Sequence, residues 1–167
     1  LMNEHPRLRR LKEIEYAHSL CMIVRLKKAL SKLYWISICD KDSPFSLIVE
    51  QSNFLSPDDY GGEHVVYLSR YFSSQQGLFK QTDRQIFDSY FNYLKSIFPH
   101  IHENDVIAYH VIRSLYTQPV FKVNYSCLMP DFIFPVKGLY MVNTAQLYPV
   151  SRTLNNSLVL AKEFVEK

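Results

Sequence analysis

Glycine is scarce, with 4 in 167 residues. No two stand at phosphate-loop spacing and no G-x-G-x-x-G turn occurs, so the chain carries no dinucleotide-binding fingerprint of its own. Cysteine is nearly as sparse: Cys21, Cys39 and Cys127 are odd in number and widely spaced. With no CxxC pair, a zinc site and a disulfide framework both fall away. Cys21 and Cys39 sit in apolar runs and are expected as small core residues, and the reducing cytoplasm is the expected compartment. No run approaches 18 apolar residues, and the start lacks the basic-then-apolar order of a signal peptide. The charge excess is only +3, too little to imply a nucleic-acid partner. The basic clusters at Arg7, Arg9, Arg10, Lys12 and at Arg25, Lys27, Lys28, Lys32 read as solvated faces. Leu1 stands where a start Met would, which leads us to expect part of a longer chain.

What is present is ordinary globular composition with one bias. Hydrophobic residues make up 47% and charged residues 21%, enough for a real core. Aromatics reach 14%, which favours sheet or a wide binding cavity. From Ile14 to Leu26 every second residue (Ile14, Tyr16, His18, Leu20, Met22, Val24, Leu26) shares one face, and period two predicts a long strand over 14–28. Further strands are predicted over 33–40, 46–51, 64–71 and 106–115. The turn chemistry of Lys41-Asp42-Ser43-Pro44 joins the second and third as a hairpin. Thr82 and Gln85 form a capping-box pair that starts a helix over 83–98, ended by Pro99. A short apolar strand is predicted at 138–142. A last helix from Ser151 or Thr153 presents the stripe Leu154, Leu158, Ala161, Val165. Strands that precede the first long helix favour antiparallel pairing, so the fold class is α+β: a mixed, mostly antiparallel sheet covered by helices.

Several residue groups carry candidate chemistry. His100 and His102 flank Ile101 and would need a further ligand such as Glu103 or Asp105 to hold a metal; a solvated loop is the competing reading. His18, on the apolar strand face, reads as a satisfied core histidine. Asp40, Asp42, Asp58 and Asp59 sit in turns, where Asp bonds its own backbone. Tyr34 and Trp35 either line a flat-ligand cavity or pack in a core or interface. In 138–157, Arg152 precedes a helix start and Asn155 and Asn156 stand in its first turn. Guanidinium fork and helix N-terminus together suit an anion or polar ligand, against a capped helix with Arg152 packed on Tyr148.

The segment GLYMVNTAQLYPVSRTLNNSLVLAKEF resembles the C-terminal end of flavin-containing amine-oxidase-type proteins. That superfamily includes protoporphyrinogen oxidases, phytoene desaturases and UDP-galactopyranose mutases. One subgroup carries a loop N-x-x-Q-x-Y-P-x-D-R-x-x-N, which this chain matches at Asn143, Gln146, Tyr148, Pro149, Arg152 and Asn155. The broader family's Gly-Asp is here Asn143-Thr144, and the subgroup's acid before Arg is Ser151. Upstream, YWISICDKDSPFSLIVEQSNF and IRSLYTQPVF resemble the same subgroup's substrate-domain strands.

The resemblance implies a substrate-type domain at 1–136 and, at 137–167, a strand–loop–helix belonging to an FAD-binding domain. It implies a C-terminal fragment of an FAD-dependent oxidoreductase, with hydride transfer from substrate to flavin in the intact parent. Asn143, Thr144, Gln146, Tyr148, Arg152 and Asn155 would contact FAD. Tyr34, Trp35, Tyr116 and Gln118 would line the substrate cavity, with no assignable catalytic base and no metal. The partners implied are the N-terminal FAD-binding half of the same chain and a small-molecule substrate. The fragment alone is expected to lack bound FAD and activity, and to dimerise through residues near 138–165. One alternative is a UDP-galactopyranose mutase-like flavoprotein, with Arg70 and Arg113 on a diphosphate. Another is a non-catalytic binding domain.

Overall fold

The alternation of the long strand decides the architecture. In the computed structural model, which describes residues 6–73 and 77–166, β1 (Tyr16–Leu26) buries Leu20, Met22, Val24 and Leu26 completely. The intervening residues stay half-buried or exposed, as period two requires. Leu1 and the side chain of Arg7 lie outside the described residues.

Four further strands complete one sheet: β2 (Trp35–Ser37), β3 (Leu47–Glu50), β4 (His64–Phe72) and β5 (Val106–Pro119), in the order β2-β3-β4-β1-β5. The pairings β1/β4, β3/β4 and β2/β3 are antiparallel. Their register stacks Met22, Leu68, Ile48 and Ile36 side by side across four strands, and the first three of these are fully buried. The predicted 41–44 hairpin forms, with Asp40 Oδ1 accepting from Asp42 N–H at 3.0 Å.

One helix covers this row. In α2 (Asp83–Ile97), Thr82 and Gln85 make the reciprocal capping box that the sequence announces. Its apolar face buries Ile86, Phe87, Tyr90, Phe91 and Leu94, each worth roughly 1.5–3 kcal/mol. Phe45 closes the layer, 5.3 Å from the Tyr90 ring. The Tyr90 hydroxyl is buried with no hydrogen-bond partner among the described residues, and burial pushes its pKa upward. An unpaired buried hydroxyl carries a desolvation cost of about 1–3 kcal/mol. Tyr90→Phe is therefore expected to stabilise the protein by about 1 kcal/mol, read as a higher urea midpoint. A lower midpoint would show that the hydroxyl does useful work.

Several expectations are corrected. No strand forms over 138–142. That segment is one arm of a short hairpin, joined by the single bridge Ile133↔Tyr140 and the bond Met141 N–H to Phe132 O. Gly138 turns it with φ +82°, a conformation that glycine adopts without strain. Cys39 is exposed and Cys21 half-buried, so neither is a core residue; Cys21 points to the sheet face away from α2. The structure adds a short helix, α1 (Pro6–Leu11), that no periodicity announces. The last helix, α3 (Leu154–Val165), has Thr153 as its N-cap, but its expected stripe is outward. Leu154 is 80% and Val165 81% exposed, while Leu160 is the buried residue.

The chain divides into two compact units: His18–Leu115, and Leu1–Ala17 with Tyr116–Lys167. The first holds the sheet and α2. The second has its own small core of Ile14, Tyr125 and Ala145, flanked by Leu11, Tyr16, Phe121, Leu128 and Tyr148.

Candidate functional site

The C-terminal loop is built by side chains that bond its own backbone. Asn143 Oδ1 accepts from Ala145 N–H at 2.9 Å, and Asn143 N–H donates to Gln146 Oε1 at 2.8 Å. The Gln146 amide then donates to Pro130 O at 3.2 Å and Met141 O at 3.1 Å. Gln146 is buried and all its bonds are internal, so it shapes the loop. Beneath it, the Tyr125 hydroxyl donates to Ala145 O at 2.9 Å. Burial, with Tyr16 nearby, pushes the Tyr125 pKa up to about 12, which keeps this phenol a donor at neutral pH.

Tyr148 packs its ring 5.4 Å from Phe121 and 5.5 Å from Tyr125, followed by a cis bond to Pro149. Arg152 donates to Thr117 O. Thr153 Oγ1 accepts from Asn156 N–H at 3.1 Å, and the Asn156 amide donates to Ser151 O at 2.7 Å. The first turn of α3 bears no acid, and Asn155 is exposed at its start. Thus Asn143, Gln146 and Tyr148 hold the loop's shape. Thr144 is half-buried in its 3-10 turn, and Arg152 and Asn155 flank the positive end of a helix.

The other candidates separate. Tyr34 and Trp35 lie in the sheet unit, where the Tyr34 ring is 5.2 Å from Phe54 and 6.5 Å from Trp35. Tyr116 and Gln118 lie in the other unit. Tyr116 has φ +58°, an uncommon state for a bulky residue, of the kind that collects at functional sites. Its exposed ring stands edge-on to Tyr16 at 5.8 Å.

Arg70 and Arg113 are both engaged: Arg70 donates to Ser43 O at 2.8 Å. Arg113 pairs with Asp83 at 2.6 Å and donates to Gln81 O at 2.8 Å. His18 is buried with its ring against Phe79, matching the core-histidine reading. His100 lies against Ala29 O, and His102 N–H donates to Asp105. Among the described residues no group of His, Cys, Asp and Glu could hold a metal, and no helix is long and apolar enough to cross a membrane.

No family model and no curated protein matches this sequence. Solved structures do match its fold. An oxidoreductase from Methanosarcina mazei aligns over 100% of this chain with TM-score 0.72 and 13% identity. A candidate protoporphyrinogen oxidase from Exiguobacterium sp. 255-15 aligns over 100% with TM-score 0.62 and 9% identity. A reduced UDP-galactopyranose mutase aligns over 77% with TM-score 0.58 and 12% identity. The chain spans only 28% to 38% of the lengths of these three. The α+β fold is therefore shared with proteins described as an oxidoreductase, a protoporphyrinogen oxidase and a UDP-galactopyranose mutase.

Proposed function

We propose that this chain is the substrate-side and C-terminal part of an FAD-dependent oxidoreductase of the flavin amine-oxidase type, acting by hydride transfer from a small-molecule substrate. The observation that carries this reading is the fold match of the whole of this chain to 38% of an oxidoreductase. It is supported by the loop of Asn143, Gln146, Tyr148 and Arg152, which leads into an acid-free helix start. When bound, FAD would supply the two-electron chemistry. The chain's own residues would position and shield.

The fit to FAD is partial in a definite way. A helix N-terminus with Arg152 and the exposed Asn155 suits one anionic or polar edge of the cofactor. The adenosine end needs a glycine-rich strand–turn–helix, and the four glycines here (Gly61, Gly62, Gly77, Gly138) supply none. On this reading residues 137–167 belong with an FAD-binding domain and 1–136 form the substrate side. The missing partner is an N-terminal half of the same protein in the cytoplasm. Asn143, Thr144, Gln146 and Tyr148 would present backbone and loop surface to the flavin. Tyr34, Trp35, Tyr116 and Gln118 would face substrate.

The mutase-like alternative needs cations for a diphosphate. Its two arginines are already engaged by Ser43, Asp83 and Gln81, which counts against it.

The test is the visible absorption spectrum of the intact protein, which should show co-purified flavin. Arg152→Ala should then lower the flavin-to-protein ratio several-fold while moving the melting temperature little. Full flavin content in that variant would remove Arg152 from the cofactor site.

A further inference from the structure

The unit formed by the two ends of the chain contains a cavity that none of Asn143, Thr144, Gln146, Tyr148, Arg152 and Asn155 lines. It lies between the last turn of α1, which gives Arg10 and Leu11, and the segment 127–135. Both walls belong to the same compact unit. The volume is about 170 Å³, below the roughly 300–1,000 Å³ of pockets that take drug-sized ligands, so a single ring or a short branched chain is what fits. The walls are preformed. Leu11 packs against the small core of Ile14, Tyr125 and Ala145, and Pro130 O is held by the Gln146 amide at 3.2 Å. Pro130 and Pro135 both stand in the wall, where their rings fix φ.

The polar groups of this cavity differ in what they have left to offer. Cys127 N–H already donates to Asn124 O at 3.0 Å, and Phe134 N–H to Leu139 O at 3.1 Å. Leu128 and Met129 N–H both donate to Tyr125 O, at 2.8 and 2.9 Å, and proline has no N–H. Asp131 is engaged as well. Arg10 is the exception: its guanidinium has no ion pair or hydrogen bond among the described residues. Arg9 and Lys12 are exposed beside it, with Glu13 the one acid in residues 9–13, so the local field favours an anion. The rest of the lining is Leu11, Leu128, Met129, Ile133 and Phe134 beside the Cys127 thiol. A bare inorganic anion would use Arg10 and leave these carbons in water. A neutral hydrophobe would cover the carbons and strip water from an unpaired guanidinium. A carboxylate with an apolar body satisfies both, because the guanidinium fork matches its two oxygens.

We propose that this cavity binds a small monocarboxylate with an apolar body, an aromatic acid or a short branched-chain acid. Its carboxylate sits on the Arg10 fork and its body against Leu11, Leu128, Met129, Ile133 and Phe134. The site is separate from the C-terminal loop and independent of the flavoprotein reading. The basic cluster at the start of the chain is thus a solvated face at Arg9 and Lys12 and a ligand contact at Arg10.

Cys127 lines the cavity and is exposed, so its alkylation by iodoacetamide, an uncharged reagent, reports occupancy. Cys39, also exposed but in the other unit, is the internal control. At constant ionic strength sodium benzoate should slow Cys127 alkylation several-fold and saturably, read by peptide mass spectrometry, while Cys39 keeps its rate. Arg10→Gln should raise the half-protecting benzoate concentration about tenfold, as loss of a charge-assisted pair implies. Arg10→Lys keeps the charge without the fork and should raise it less. Benzyl alcohol, which has the ring without the charge, and inorganic phosphate, which has the charge without the ring, should each protect far more weakly than benzoate. Cys127 alkylation indifferent to benzoate would overturn the proposal. So would protection that benzyl alcohol or phosphate matches, that Arg10→Gln leaves unchanged, or that Cys39 shares.

Discussion

Replacing Glu50 with alanine should cost about 3 kcal/mol of folding stability, since an unpaired buried backbone donor costs about 1–3 kcal/mol and the buried Leu30 N–H and the half-buried Ser31 N–H would both lose their acceptor. Glu50 ends β3 and is only 1% exposed. Its carboxylate accepts from Leu30 N–H at 2.8 Å and Ser31 N–H at 3.0 Å, with the Ser31 hydroxyl at 3.3 Å. These bonds tie the connection between β1 and β2 to the sheet, and a charged acceptor makes them stronger than neutral ones. Alanine removes the acceptor while Leu30 stays buried. Glu50→Gln keeps one carbonyl oxygen and should lose about 1 kcal/mol. In urea the midpoint of Glu50→Ala should fall by about 1–2 M for an ordinary slope. A shift under a third of that would mean the connection re-forms its bonds elsewhere.

The second large effect is an expected failure to bind: the 167-residue chain alone should be colourless and should not hold FAD. Dinucleotides gain much of their affinity from a glycine-rich turn and the helix that follows it. What this chain offers is Arg152, Asn155 and the start of α3, which meet only part of such a ligand. That contact must also offset an association cost of roughly 4–15 kcal/mol. The outward Leu154, Leu158 and Val165 form an apolar patch of the kind that promotes self-association, so dimers through residues near 138–165 are expected at high concentration. Titrating FAD and following its fluorescence decides the matter. Saturable micromolar binding would show that the C-terminal loop is a more complete site than its side chains suggest.

How much was legible in the sequence depended on how local each signal was. The face of β1 could be read because seven alternate positions repeat one pattern, and α2 because Thr82 and Gln85 bond each other three residues apart. Cys39 was misread because it follows the apolar Ile38; it lies past the end of β2, in the connection to β3, where it is exposed. The 138–142 segment has strand-like residues, but it pairs only through the bridge Ile133↔Tyr140 across the turn at Gly138, which leaves no length for a ladder. The α3 stripe has helical spacing, yet periodicity cannot say which side of a helix meets a core. Of the site residues, Asn143 and Gln146 were found for their pattern, but their work inside the loop shows only in the bonds to Ala145, Pro130 and Met141. The neighbourhood of Ile23, Tyr67 and Val49 is created by register between strands, over 40 residues apart in the case of β1 and β4, and no local window contains it.

The strand order has a kinetic consequence. β2, β3 and β4 follow one another and can zip together from nearby segments, whereas β1, first made, sits between β4 and β5. Its edges have no partner until β4 and then β5 have been synthesised, and its long apolar face has no cover until α2 follows β4. Loop closures of this length slow the search, and an unpaired strand with Leu20, Met22, Val24 and Leu26 on one side is a site for misassociation while it waits. During synthesis the β2–β4 meander should therefore be the template onto which β1 docks. Refolding yield should fall steeply with protein concentration, more so than for a sheet whose strands pair in the order they are made.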